Sequence, residues 1–241
     1  MKKLALSILA LLSVGSLSFG ATNASDNASN STYQPGNVWD NGSNGGTGFG
    51  PWDLSKTGTG GRYIGGTALG ATTFGIYSGT SGTSRADRAF TGALSAGQTF
   101  SITLAHTETN NGELGINLLE GTNVRLVLKM VSGQSQWKMW DGGAGGDFSI
   151  GQNYVANTAL TFQFTYNGGS SYSYSFGSAS GNNTATSVIT NLTGFRIYNN
   201  GQGDQQNLGF NNITVVPEPT TWALLAGGLT ALVVFRRRRA S

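Results

Sequence analysis

Between Gln98 and Val215, apolar side chains recur at every second residue in short runs broken by turn clusters. This alternation confines the chain to β structure. Phe100, Ile102, Leu104 and His106 share one face of a segment whose other face is Ser101, Thr103, Ala105 and Thr107. Val124, Leu126, Leu128 and Met130 repeat the pattern, as do Trp137 with Met139, and Leu160, Phe162, Phe164 and Tyr166. Tyr172, Tyr174 and Phe176 alternate with serines, Phe195 pairs with Ile197, and Phe210 to Val215 gives a last run. Successive side chains of a strand point to opposite faces, so one apolar face per strand means an antiparallel sheet buried on one side.

The strand centres lie roughly 8–12 residues apart with turn residues between them, the spacing of a sandwich or barrel. Asn167-Gly168-Gly169, set between two aromatic runs, marks a hairpin. Thr67 to Tyr77 reads as a glycine-interrupted strand pair. The expectation is all-β: ten or more strands in two packed antiparallel sheets over residues 62–216, jelly-roll or concanavalin-like. Phe195-Arg196-Ile197-Tyr198 and Phe210 to Val215 also resemble the closing strands of carbohydrate-binding and concanavalin-like sandwiches. Residues 25–61 read as a leader rich in Asn, Gly and Ser, followed by first turns, with Phe49 and Trp52 placed to plug one end of the core.

The two ends carry different signals. Lys2 and Lys3 precede an apolar stretch from Leu4 to Leu17 and then small residues, the pattern of a secretory signal peptide over 1–24, cut after Gly20 or Ala24. At the other end, Pro217-Glu218-Pro219 precedes an uncharged apolar run, 220–235, and then Arg236, Arg237, Arg238 and Arg239. Sixteen helical residues rise roughly 24 Å, a little short of a hydrocarbon core of about 30 Å. Trp222 stands where an interfacial aromatic belongs, and arginine stems extend the reach of a short span. The cationic end is expected to stay in the cytoplasm. Ala223, Gly227 and Ala231 form a small-residue stripe on that span.

Charge and cysteine narrow the functions. The formal charge is +3, yet six of the fourteen basic residues lie in the end segments. Residues 25–216 hold eight basic against ten acidic side chains, about −2, so nucleic acid is not an expected partner. There is no cysteine, so no disulfide framework supports the exported part.

Catalytic residues are not expected, nor a metal or cofactor. His106 is the single histidine and continues an apolar face, so its role is structural. No Gly-x-Ser-x-Gly elbow surrounds any serine. Glu108, Glu113 and Glu120 fall at strand ends and turns, where carboxylates are ordinarily solvated. The run Asp141 to Asp147 lacks the regular ligand spacing of a calcium loop. Trp140, Tyr154, Tyr172, Tyr174 and Tyr198 are the aromatics available to stack on sugar rings, if they are not core.

Val216-Pro217-Glu218-Pro219, the short apolar span and the terminal arginines together resemble the PEP-CTERM sorting signal of Gram-negative bacteria. The resemblance covers about a tenth of the chain. It implies export by the secretion machinery, transient anchoring by a single membrane helix, and recognition by an exosortase, a membrane protease-transpeptidase. It also implies a place in the envelope or outside the cell, in company with exopolysaccharide. The leading expectation is therefore a non-enzymatic structural or adhesive sandwich at the cell surface. A carbohydrate-binding module for exopolysaccharide comes second and a glycan-active enzyme third.

Overall fold

The computed structural model describes residues 23–34, 36–79, 81–107, 111–142, 146–201 and 207–217. The chain forms fifteen strands there: β1 (Ala24–Asp26), β2 (Phe49–Thr57), β3 (Gly61–Thr67), β4 (Gly70–Tyr77), β5 (Thr83–Phe90), β6 (Gln98–His106), β7 (Glu113–Glu120), β8 (Asn123–Val131), β9 (Gln136–Trp140), β10 (Phe148–Asn153), β11 (Leu160–Gly168), β12 (Ser171–Phe176), β13 (Ala179–Thr184), β14 (Gly194–Asn200) and β15 (Asn207–Pro217). Among the described residues no helix is long and apolar enough to cross a membrane. Residues 1–22 of the expected signal peptide lie outside the described residues. So do Glu108, residues 143–145, Glu218, Pro219, the span with Trp222, and Arg236 to Arg239.

Two antiparallel sheets result. One runs β13-β12-β11-β6-β15-β4-β3, and the other β10-β9-β8-β7-β14-β5-β2. β15 is flanked on both sides. β6 follows it along nearly its whole length, while β4 pairs with Asn207 to Phe210 and β1 with Ile213 to Val215. The handover falls at a register shift between Asn211 and Thr214, where Asn212 takes a φ of 52°. Asn211 secures the join: its Oδ1 accepts from the Ala28 amide at 2.9 Å and its Nδ2 donates to Thr72 O at 3.1 Å.

The alternating runs face as their spacing demands. Phe100, Ile102, Leu104, Leu126, Leu128, Met130, Phe162, Phe164, Phe176, Phe195, Ile197 and Phe210 are all buried between the sheets. Each such side chain contributes about 1.5–3 kcal/mol on leaving water. The 167–169 hairpin joins β11 and β12 with Gly168 and Gly169 at φ 98° and 61°, a conformation that side chains other than glycine enter at a cost.

The leader is corrected by the structure. Ser25 exchanges two backbone hydrogen bonds of 2.9 Å with Thr47, and β1 and β2 belong to the two sheets. Tyr33, Trp39, Phe49 and Trp52 are all buried. Trp39 meets Trp52 edge-on at 5.3 Å and lies 4.8 Å from Phe74, so residues 24–57 supply one end of the core. The glycine-interrupted strand pair is also displaced. It spans Gly61 to Tyr77 with its turn at residues 68 and 69, so the pair begins six residues before the expected Thr67.

Candidate functional site

The outer face of the seven-stranded sheet gathers the charged side chains. Register places residues in rows across β2, β5, β14, β7, β8 and β9. One row reads Asp53, Asp87, Arg196, Asn117, Val127 and Trp140. The next reads Ser55, Arg85, Tyr198, Gly115, Lys129 and Lys138, and a third brings Thr83 and Asn200 to Glu113. Gly115 has no room for a side chain, because a methyl there would strike the Leu128 carbonyl of β8. The gap between Tyr198 and Lys129 deepens into a furrow of about 190 Å³ lined by Arg85, Asn117, Glu113, Lys129, Arg196 and Tyr198, among others.

The furrow is electrostatically self-satisfied. Arg196 grips Asp87 with two nitrogens, Nε at 2.8 Å from Oδ1 and Nη2 at 2.6 Å from Oδ2. The Asp87 hydrogen bonds hold the guanidinium's proton more tightly than usual, outweighing the opposing effect of burial. Lys129 lies 2.9 Å from Asp147 and 3.3 Å from Glu113. Burial favours its neutral form, but the Asp147 hydrogen bond and the two negative charges prevail and its pKa is raised. Tyr198 is pushed well above the usual phenol range, first by burial and then by the charge of Glu113, to which it is also hydrogen-bonded. Such a surface presents fixed donors and acceptors side by side, suited to hydroxyl-rich ligands.

Of the described acidic residues singled out in the sequence, Glu113 and Asp147 meet at the Lys129 ammonium, which neutralises them, and Glu120 stands apart. Glu113 and Glu120 stand at opposite ends of β7, eight residues long, which at about 3.4 Å per residue separates them by roughly 24 Å. Glycoside hydrolysis needs two carboxyl groups about 5–10 Å apart, a distance that Glu113 and Glu120 far exceed. Glu120 serves locally: it accepts from Thr190 at 2.5 Å and from Arg125 at 2.5 Å, and these bonds lower its pKa. Asp141 accepts from Tyr172 at 3.0 Å while Asp147 pairs with Lys129, so the ends of the 141–147 run serve different partners. His106 is buried, stacked on Tyr154 at 4.3 Å and edge-on to Trp137 at 5.3 Å.

The five aromatics proposed for sugar stacking are dispersed, and two are corrected. Tyr172 is fully buried against Phe164, because its run of β12 turns inward. Tyr198 is 6% exposed and forms the furrow's floor. Tyr174 is half-buried against the core on β12 of the other sheet, and Tyr154 spends its hydroxyl on Thr107 O at 3.0 Å. Trp140 alone is half-exposed on the furrow's face. Residues that the sequence reading missed are Arg85, Asp87, Asn117, Lys129 and Arg196. Alternation does place them outward, but only register shows that they are neighbours.

Together these features define a two-sheet antiparallel sandwich with one charged, self-paired outer face. Among solved structures, the Cellulose induced protein Cip1 is similar in fold, with a TM-score of 0.51 at 12% identity, over 68% of this chain and 90% of that one. The globular domain of T. cruzi calreticulin matches over 78% of this chain and 95% of its own, at 11% identity and a TM-score of 0.48. The Caenorhabditis elegans galectin LEC-6 matches over 63% and 94%, at 14% identity and 0.39. No curated protein matches the chain. Residues 215–239 match the PEP-CTERM protein-sorting motif, so this is a protein that carries a C-terminal sorting signal of that family.

Proposed function

We propose that the protein is a non-enzymatic adhesive module of the cell surface or extracellular matrix. It is exported, held transiently by its C-terminal span, processed by an exosortase-like enzyme, and makes contact with exopolysaccharide through the furrow. The observation that carries this reading is the overlap of motif and fold. The sorting motif begins at residue 215, inside β15, so the matched residues overlap the last strand of the sandwich. Two further features support it. Carboxylates in the furrow are tied to cations, as in a contact surface, and a balanced set of donors and acceptors suits sugar hydroxyls.

The test is binding of the exported protein to polysaccharide extracted from the producing cells, compared with the variant Arg85→Ala with Asn117→Ala. Loss of binding with an unchanged unfolding midpoint is expected. Equal binding by variant and wild type would remove the furrow from the proposal.

A further inference from the structure

On the opposite sheet, two tyrosines are laid out as a platform that the furrow does not use. Tyr63 of β3 and Tyr77 of β4 both point outward, since their neighbours Ile64, Phe74 and Ile76 are buried inside. Register sets each tyrosine opposite a glycine: Tyr63 faces Gly75 and Tyr77 faces Gly61. A methyl group at either glycine would collide with the facing ring, so each ring rests directly on the bare backbone of the adjacent strand. The rings are 6.4 Å apart at 38° to one another, and both remain half-exposed. A ring held on a glycine has little freedom left to lose when a ligand arrives, which favours affinity.

The surroundings of Tyr63 extend this platform into a groove. Tyr63 lines two clefts at once, one of about 460 Å³ that includes Tyr77, Asp40, Lys56 and Arg62, and one of about 300 Å³ that includes Thr107, Asn157 and Asn207. Beyond Tyr63 the row across the sheet continues as Gly75, Gly209 and Ala105, so the floor stays low. Arg62 and Asp40 form an ion pair at 3.1 Å with Asp40 71% exposed, presenting fixed donors and an acceptor beside the rings. The Asn157 and Asn207 amides offer both kinds of group on the far side.

We infer that this groove is a second glycan site, one that binds a neutral β-linked hexopyranose polymer by stacking. The chemistry selects the class. Aromatic faces attract polarised C–H groups and apolar surface, and a pyranose with equatorial hydroxyls offers both its faces as C–H. Its hydroxyls then point sideways, toward the ion pair on one flank and the amides on the other. Arg62 and Asp40 cancel, so Lys56 is the single net charge of this lining, and it is the stacking rings that set the class of ligand. The geometry is independent of the furrow. Only its use, bridging chains on two faces of one sandwich, rests on the adhesive reading above.

The probe is hydroxyethyl cellulose, a soluble β-1,4-glucan, in affinity electrophoresis of the exported protein. The wild type is expected to be retarded. Replacing both tyrosines with leucine should weaken binding by about tenfold or more, the equivalent of about 1.4 kcal/mol. Replacing both with phenylalanine should preserve it, which separates stacking from the hydroxyls and controls for the fold. The Arg85→Ala, Asn117→Ala furrow variant should be retarded like the wild type. Equal retardation of the leucine variant and the wild type, or no retardation of the wild type, overturns the inference. The furrow reading is judged separately, by its own variant on native polysaccharide.

Discussion

Arg88 of β5 and Asp26 of β1 form an ion pair across the sandwich, and neither side chain has any solvent exposure. The two residues belong to different sheets and lie 62 positions apart. Every surrounding polar group joins in. Arg88 also donates to Gly50 O at 2.8 Å, Gly45 O at 2.6 Å and Asn44 Oδ1 at 3.0 Å. Tyr33 donates its hydroxyl to Asp26 at 2.6 Å and accepts from Trp52 Nε1 and the Gly45 amide, each at 3.0 Å. The guanidinium lies 4.7 Å from the Trp52 ring centre and 4.9 Å from that of Phe49.

Removing one partner strands the other in a dry interior, at a cost of about 3–5 kcal/mol. That is a large part of a typical 5–15 kcal/mol domain stability. Asp26→Leu or Arg88→Met alone should therefore lower the urea midpoint sharply, and the double variant should lose less than the two singles combined. Additive losses in equilibrium unfolding would show that the pair is uncoupled.

Alkaline stability should turn on buried phenols. Burial, then the hydrogen bond to Asp26, pushes Tyr33 from 10.0 up to about 12. Tyr172 and Tyr198 are raised in the same direction, chiefly by burial. The folded state therefore holds these protons more tightly than the unfolded state. The Tyr33 contribution is complete below pH 10 and fades as the pH climbs through about 12. Near-ultraviolet phenolate absorbance should show these tyrosines ionising together with unfolding, and Tyr33→Phe should flatten the decline. A smooth titration of every phenol before unfolding would contradict this.

The mature chain should begin at Ala21. Ala24 is buried in β1, and the Asn23 amide donates to Val215 O at 2.8 Å. Cleavage after Gly20 leaves β1 whole, whereas cleavage after Ala24 removes its first residue. Mass spectrometry of the exported protein's N-terminus decides between them; a start at Ser25 would refute the prediction.

Pro217→Ala with Glu218→Ala should block release from the membrane while export and folding persist. A tag inserted at Gly133, in the exposed turn between β8 and β9, allows the protein to be followed by cell fractionation. Equal release of variant and wild type would defeat the sorting mechanism.

Strands with an apolar face were legible in the sequence, and those without one were not. The inward face of β5 is Ser84, Ala86, Arg88 and Phe90, and a buried arginine hides the period. β7 is buried along six consecutive residues as a central strand, so it shows a run where alternation was sought. β2 contains Gly50-Pro51, which reads as a turn. The strand lies at a sheet edge and shifts register between Phe49 and Trp52, where a missing N–H is tolerated. The Tyr63 and Tyr77 platform had a local signature, Gly-x-Tyr at 61–63 and again at 75–77, but its meaning depends on cross-strand register. Tyr172 shows the converse: an aromatic alternating with serines gives no sign of which face is wet.

The placement of β15 also governs how the protein bears load. If the proposed C-terminal span tethers the protein, drag on the sandwich pulls along β15 from Pro217. Hydrogen bonds of antiparallel neighbours lie perpendicular to that axis, so those shared with β6, β4 and β1 resist in parallel and are not peeled one at a time. A last strand embedded between neighbours is a mechanically strong place from which to hold the fold.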